Sequence, residues 1–386
     1  MKKILMLGGS QQQVPILEKA KEMGHYVLLC DYLPDNPGQQ VVDEFFEVST
    51  TEKDAVLQVA VENNIDGVLA YASDPAAPTA AYVAERLNLP GNPVEAVNIL
   101  CNKGRFRKLQ DQLALHHPRY RVCQALEEVE DFASEAQGKI VIKPTDSSGS
   151  KGVQVLSNES GLSEAYEAAK SYSKSETVIV EEFVHAVSRQ MHGDGLVVNG
   201  DLKICLMGRH HYAPGTNAPI ATFWNTGEDR AVLDSVRKVV QSIINAVGFL
   251  NGQINIEARI TASGEPFIVE IGPRAGGNFT PVVLSHLSSF DFLEANVNLA
   301  LGKQIEVGNV SLATSGGYYV VHTHTGGRLK GHPDMRCDKS YIEYFEYIKT
   351  GGHVPLFKNA SDAVGVYLFK DIGDIAKLNV AAPLLN

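Results

Sequence analysis

The chain has 386 residues, 44% hydrophobic and 20% charged, the composition of an ordinary globular protein long enough for roughly two to four domains. Its net charge of −11 argues against a broad nucleic-acid-binding face, though not against a local basic pocket, and no apolar run reaches membrane-span length. Cys30, Cys101, Cys123, Cys205 and Cys337 are scattered without a CxxC, which disfavours a zinc cluster or disulfide frame and fits a reducing cytoplasm. The opening Met-Lys-Lys-Ile-Leu-Met-Leu-Gly-Gly reads as a strand and turn rather than a signal peptide, so a cytoplasmic location is expected.

Residues 1–95 alternate short apolar runs with helical segments. Strands are expected at Lys3–Leu7, Tyr26–Asp31, Phe45–Val48 and Gly67–Ala70, with helices from the Gly8-Gly9-Ser10 turn to about Met23 and over Thr51–Asn63. Continuous apolar strands alternating with helices indicate a parallel, doubly wound sheet. Asp31 follows the glycine turn by about twenty residues, as in dinucleotide folds, but G-x-G-x-x-G is absent, which favours a tight turn over an NAD site. Pro90-Gly91-Asn92-Pro93 reads as a linker, and one helix is expected from Val94 through Asn98, Asn102, Lys103, Phe106 and Leu109.

Further on, a strand at Lys139–Lys143 enters the loop Pro144-Thr145-Asp146-Ser147-Ser148-Gly149-Ser150-Lys151-Gly152 and resumes at Val153–Leu156. A helix over Ser163–Tyr172 and a strand at Thr177–Glu181 follow. Gly195–Val198 and Leu202–Gly208 flank Asn199-Gly200, a two-residue hairpin signal. Ala231–Val247 is helical, Ile254–Glu257 and Phe267–Glu270 form a hairpin across Ala262-Ser263-Gly264-Glu265, and a helix covers Ser289–Leu301. The tail from about residue 306 is rich in β-branched and aromatic residues and reads as a smaller β-containing module.

Four stretches carry chemistry. Lys143 and Lys151 bracket a Ser/Gly-rich loop whose backbone N–H groups could cradle phosphates; an ordinary hairpin loop is the even alternative, since this is not a Walker pattern. Val178–Val184 is a strand that breaks at Glu181-Glu182, an extended segment able to offer an adenine edge a donor, an acceptor and an acid. Glu257 and Glu270, if on one face, would be costly neighbours unless a hard cation sat between them; the alternative is two solvated strand glutamates. Arg274, with Gly276-Gly277-Asn278, follows at once. His210 and His211 could contact substrate, act as a base or be a structural pair, and His322-Thr-His324 has chelate-like spacing without a third ligand. Asp194 between two glycines reads as shaping a turn. Asp74-Pro75 ends the fourth strand, at the edge where open α/β sheets bind ligands, or simply starts a helix.

In order, Asn102-Lys103, Ile140-Val-Ile-Lys143-Pro144 with the loop at 147–152, Val180-Glu181-Glu182-Phe183-Val184, Glu257 and Glu270-Ile-Gly-Pro-Arg274-Ala-Gly-Gly-Asn278 resemble the ATP-grasp superfamily. The closest look is to its carboxylate–amine ligase branch, the carbamoyl-phosphate-synthase-like and L-amino-acid-ligase-like proteins, over residues 1 to about 300. The resemblance implies a Rossmann-like domain at 1–93, a small lid subdomain at 94–182, a large mixed-sheet subdomain with the metal and nucleotide site at 183–305, and a C-terminal β-containing module at 306–386.

It also implies roles. Lys103 and Lys143 would bind nucleotide phosphates beneath a lid made of Ser147, Ser148, Gly149, Ser150, Lys151 and Gly152. Glu181 would face the adenine amino group, with Glu182, Phe183 and Val184 at the ring. Glu257 and Glu270 would hold Mg²⁺ (or Mn²⁺), and Arg274, with Lys143 and Glu270, would serve the transfer itself. Apart from these roles, Arg274 and the backbone of Gly276, Gly277 and Asn278 are the candidates to receive the acid, and His210 and His211 could contact substrate. Two positions depart from the pattern: Gly272 stands where many relatives have a metal-binding Asn, and Ser188 where an acid commonly contacts ribose.

The activity so implied is an ATP-dependent joining of a small carboxylic acid to an amine through an acyl-phosphate, with ADP and phosphate released. The alternatives are a bicarbonate- or formate-using carboxylase or transformylase of the purine-pathway type, and a nucleotide-binding regulatory protein without turnover. The expected partners are small-molecule carboxylate and amine substrates, with no nucleic acid and no membrane, and a homodimer is the default assembly.

Overall fold

The computed structural model describes residues 1–385 except 158–159, 186–189, 214–217, 335–338, 360–361 and 373–383. The chain begins with strands β1 (Lys3–Leu7), β2 (Tyr26–Asp31), β3 (Glu44–Glu47) and β4 (Gly67–Ala70), parallel in the order β3-β2-β1-β4. Helices α1 (Val14–Glu22), α2 (Lys53–Asn63) and α3 (Ala77–Arg86) connect and follow them. The unbroken apolar run of β1 has a plain cause. Ile4 and Met6 pack into one core with Ile16 and Leu17 of α1, while Leu5 and Leu7 pack into a second with Val56 and Val83 of α2 and α3. Asp31 is spent inside the fold, accepting from the N–H groups of Gly9 at 2.7 Å and Leu33 at 2.9 Å, which secures the turn after β1.

The single helix expected from Val94 is two, α4 (Val94–Cys101) and α5 (Lys103–Gln112). Asn102 breaks it: its backbone is extended (φ −117°, ψ 114°) and its side chain accepts from Arg105 N at 3.0 Å, capping α5. The break has a tertiary partner, because Lys103 N donates to Thr145 O at 2.8 Å. Strands β5 (Tyr120–Cys123), β6 (Ile140–Pro144), β7 (Gln154–Leu156) and β8 (Val178–Glu182) then form an antiparallel sheet in the order β5-β8-β6-β7. Helices α6 (Leu126–Glu135) and α7 (Leu162–Ser171) pack on it.

The body is an eight-stranded antiparallel sheet. It contains β9 (Met191–Val198), β10 (Asp201–Tyr212), β11 (Pro219–Trp224), β12 (Gly252–Ile260), β13 (Pro266–Gly272) and β14 (Gly316–Val321). Asn199 and Gly200 both take left-handed φ (53° and 83°) in the β9–β10 hairpin. Helix α8 (Arg230–Val247) buries Val236, Val240, Ile243 and Ile244, a stripe at helical spacing. Helix α9 (Thr280–Leu287), not anticipated, is buried around most of its surface and so lacks an amphipathic signature; α10 (Phe292–Ala300) replaces the longer helix expected from Ser289.

After β14 come β15 (Gly327–Gly331), β16 (Tyr341–Glu346), β17 (His353–Val354), β18 (Gly365–Lys370) and β19 (Leu384–Leu385). The large sheet runs β13-β12-β9-β10-β11-β14-β18-β16, while β17-β15-β19 form a small separate one. The β-rich tail therefore adds three strands to the main sheet, and Tyr318, Val320 and Leu368 share one core with Leu196 and Ile204. Among the described residues no helix is long and apolar enough to cross a membrane.

Strand packing is tightest at Gly193, where a Cβ would lie 1.9 Å from Leu206 O. Gly193→Ala must push β9 and β10 apart and should cost about 1–3 kcal/mol in denaturant unfolding.

Candidate functional site

Glu257 on β12 and Glu270 on β13 are direct cross-strand partners, with a register shift just after Glu257. Gln190 Nε2 donates to Glu257 Oε2 at 2.5 Å, and Gln190 Oε1 accepts from Arg259 Nε at 2.9 Å. Glu270 Oε2 lies 3.1 Å from Lys103 Nζ. Burial, then the charge of Glu270, pushes the Glu257 carboxyl up to about 7. Two carboxylates with one lysine between them leave a deficit of positive charge on a half-buried surface. That donor set fits a hard divalent cation, whose remaining positions would fall to phosphate and water oxygens. Among the described residues no third His, Cys, Asp or Glu joins them as a ready-made cluster, and the same holds for the His322–His324 pair.

Lys103 and Lys143 lie on either side of the loop at 147–152. Lys103 Nζ also donates to Ser147 O at 2.7 Å. Burial opposes its charge, but Glu270 and Asp74 outweigh burial and hold its pKa above the usual lysine value. Lys143, at the end of β6, contacts Glu181 Oε2 at 2.5 Å, and burial draws its pKa below the usual value. Glu181 is only 2% exposed. Burial alone would raise its pKa, yet Arg107 and Lys143 overcome this and bring it down to about 2.

Both Glu181 oxygens are thus occupied, one by Lys143 and one by Arg107 Nε at 2.7 Å. Arg107 went unremarked in the sequence. The available signal was its position four residues after Lys103, which puts both on one face of α5.

Lys103, Lys143, residues 147–150, residues 181–184, Glu257 and Glu270 surround one cavity of about 300 Å³. Val141, Val155, Phe183 and Phe267 give one end an apolar lining, and the Arg259 guanidinium lies 5.5 Å from the Phe183 ring centre. Gly149 and Ser150 turn the loop through left-handed φ (69° and 59°). Lys151 is exposed and, with Gly152, lies outside the cavity lining. Ser188 lies outside the described residues.

A second cavity of about 330 Å³ shares Lys103, Ser147, Ser148 and Glu270 with the first and is also lined by Asp74 and Gly272. Arg274 Nε and Nη2 donate to Asp74 Oδ1 and Oδ2 at 2.8 and 2.5 Å. The loop after Arg274 is held at two points: Gly276 N donates to Asp194 Oδ2 at 2.9 Å, and Asn278 N donates to Gln12 Oε1 at 2.9 Å.

Asp194 does not shape a turn. It lies within β9, fully buried, where Asn255 and Gln253 also donate to it, and burial raises its pKa to about 6. His210 and His211 line neither cavity. His210 stacks on His192 at 4.6 Å and shares Thr222 Oγ1 with it, and burial holds His210 neutral. A register shift between His211 and Tyr212 brings Tyr212 to the first cavity instead.

The raised carboxyl of Glu257 gives a signed expectation for stability. Its folded-state pKa, about 7, exceeds the ordinary 4.5, so its ionisation destabilises the fold as pH rises from 4.5 through 7. Without nucleotide or metal, Glu257→Gln should therefore raise the melting temperature at pH 8, by up to about 3 kcal/mol of stability. Thermal scans at pH 8 and pH 4.5 check this, with the gain absent at the lower pH.

Residues 137–282 match the family model of the ATP-grasp domain. A protein of Sinorhizobium fredii, y4rH, is 28% identical over 278 residues, covering 68% of this chain and 55% of its own. The formate-dependent phosphoribosylglycinamide formyltransferase of a Synechococcus species is 32% identical over 186 residues, covering 47% of this chain and 48% of its own. The chain thus spans about half the length of these curated relatives. Among solved structures, the L-amino acid ligase of Bacillus licheniformis superposes with a TM-score of 0.84 at 20% identity, over 98% of this chain and 95% of that one. Lys143, the glycine loop and the carboxylate hairpin lie within the matched segment and Lys103 lies outside it, so residues 137–282 carry an ATP-grasp domain.

Proposed function

We propose that this chain activates a small carboxylic acid with ATP and joins it to an amine. The observation that carries the reading is the set of groups around one cavity: a carboxylate pair, two lysines and a glycine loop, with an arginine just beyond. These are the parts phosphoryl transfer needs, where positioning and charge neutralisation matter more than a covalent nucleophile.

Residues 181–184 and the apolar end of the cavity would take the adenine, and Lys103 and Lys143 the phosphates beneath the 147–152 loop. Glu257 and Glu270 would hold Mg²⁺, which when bound neutralises phosphate charge. An oxygen of the acid attacks the γ-phosphorus and the bond to ADP breaks, giving an acyl-phosphate. The amine then attacks the acyl carbon, phosphate leaves, and the amine loses a proton. Arg274 would stabilise the charge of the transferred group, and the loop at 147–152 would keep water from the acyl-phosphate. Boundaries at residues 93, 182 and 305 suit this division of labour.

The L-amino acid ligase likeness and the second cavity, which is larger than a one-carbon acid requires, support an acid of amino-acid size. The formyltransferase relatives support a second reading in which formate or bicarbonate is the acid. In a phosphate-release screen with Mg·ATP, the right acid should trigger release of ADP and phosphate, accelerated by its amine. Glu270→Gln and Lys143→Ala should each lower that rate by about 100-fold or more. Turnover with formate or labelled bicarbonate alone would select the second reading, and release of AMP and pyrophosphate would overturn the acyl-phosphate route.

A further inference from the structure

Asp74 and Arg274 stand 200 residues apart in sequence and come from different sheets' ends, yet they form a two-point ion pair with side chains only 18% and 11% exposed. Asp74 sits in the short 3-10 turn Asp74–Ala76 after β4, and Arg274 follows β13. The contact takes the Nε–Nη2 edge of the guanidinium, while Nη1 donates to Ala275 O at 2.9 Å. Of five N–H groups three are used, and two remain for a ligand. Asp74 and Ser148 of the glycine loop line the same cavity.

Gly272 faces this pair. A Cβ there would lie 2.8 Å from Asp74 Oδ1 and 3.2 Å from Arg274 Cζ. The space that any side chain at 272 would need is therefore already filled, by a carboxylate delivered from the N-terminal sheet. Residue 272 is also the position at which the superfamily pattern commonly carries a metal-binding Asn, so the substitution and the ion pair occupy the same few ångströms.

We infer that Asp74 is the positioning residue of Arg274, and that glycine at 272 exists to admit it. The inference rests on the proposed reading of the site as a phosphoryl-transfer centre. Asp74 orients the guanidinium plane so that its free N–H groups meet the transferred phosphate. An Asn at 272 and an Asp at 74 are mutually exclusive occupants of one volume.

The test is a swap across the pair, read as kcat and KM for acid-dependent phosphate release. Asp74→Ala should lower kcat by about 100-fold, the cost of a misplaced catalytic group, with KM for ATP changed less than about twofold. Asp74→Asn, which keeps the shape and one acceptor, should lose less. Gly272→Asn should be impaired like Asp74→Ala, and combining the two should lower kcat little further than either alone, because both act by displacing the same ion pair.

Independently of turnover, the Arg274 Nε–H resonance of ¹⁵N-labelled protein should be sharp and slowly exchanging, and lost in Asp74→Ala. Wild-type kcat in Asp74→Ala, fully multiplied losses in the double variant, or an Arg274 signal indifferent to Asp74→Ala would each overturn the inference. Failure of the unmodified chain to release phosphate with any acid, while the Arg274 signal still depends on Asp74, would count against the proposed activity rather than the pair.

Discussion

The site depends on a buried ionic cluster. Arg107 and Glu181 are 1% and 3% exposed at their side chains, and Lys143 joins them from the neighbouring strand. Arg107 does more than neutralise Glu181. Its Nη1 donates to Gln110 Oε1 at 2.8 Å and its Nη2 to Val269 O at 3.0 Å, while Gln110 Nε2 reaches Ile268 O at 2.8 Å. One cationic side chain on α5 thereby clamps the lid sheet, through β8, to the carboxylate hairpin, through β13. Removing one partner of such a buried pair leaves the other's charge uncompensated, which typically costs 3–5 kcal/mol. The cluster also sets the spacing between the strand bearing Lys143 and the strand bearing Glu270, so the distance across the cavity follows from the clamp rather than from either strand alone.

Around that clamp the charges are deliberately unequal. Glu181 is satisfied twice over, by Arg107 and Lys143, whereas Lys103 pairs with Glu270 and Glu257 accepts only from the neutral Gln190 amide. Burial first, and then the charge of Glu270, raises the Glu257 pKa, and a cation at the hairpin would relieve the second cause. Satisfied carboxylates hold structure, and underpaired ones await a ligand. The same reasoning separates Asp194, which accepts from Asn255, Gln253 and the Gly276 backbone and so supports the loop from beneath, from the metal candidates.

The remaining elements position groups rather than supply them. The N-terminal sheet delivers Gln12 to Asn278 and Asp74 to Arg274, both from the ends of its strands. The late strand β14 brings Tyr318 beneath the same loop, where Thr222 links it to the stacked histidines His192 and His210. The loop from Arg274 to Asn278 is therefore held by residues from across the chain.

Much of this was readable without coordinates, and the reasons are local. Apolar runs place β1, β2 and β4, and Asn199-Gly200 turns the β9–β10 hairpin, because strand period and turn geometry are properties of a few neighbouring residues. Alternation also marks the hairpin bearing Glu257 and Glu270, but regular pairing back from its turn would set Glu257 opposite Val269, and the register shift after Glu257 is what sets it opposite Glu270. The lysines and the glycine loop were likewise marked by their neighbours. Other features depended on partners far along the chain. The break at Asn102 is held by Thr145, the importance of Arg107 lies in Glu181 and Val269, and His210 was turned inward by Thr222. The tail joined the main sheet only because β14 found β11. Gly272 looks like a missing ligand until Asp74, some 200 residues earlier, is seen to fill its space. Sequence by itself determined which segments would be strands and turns; only the tertiary structure decided which charges would be satisfied and which left open, because pairing depends on distances between residues that no local pattern encodes.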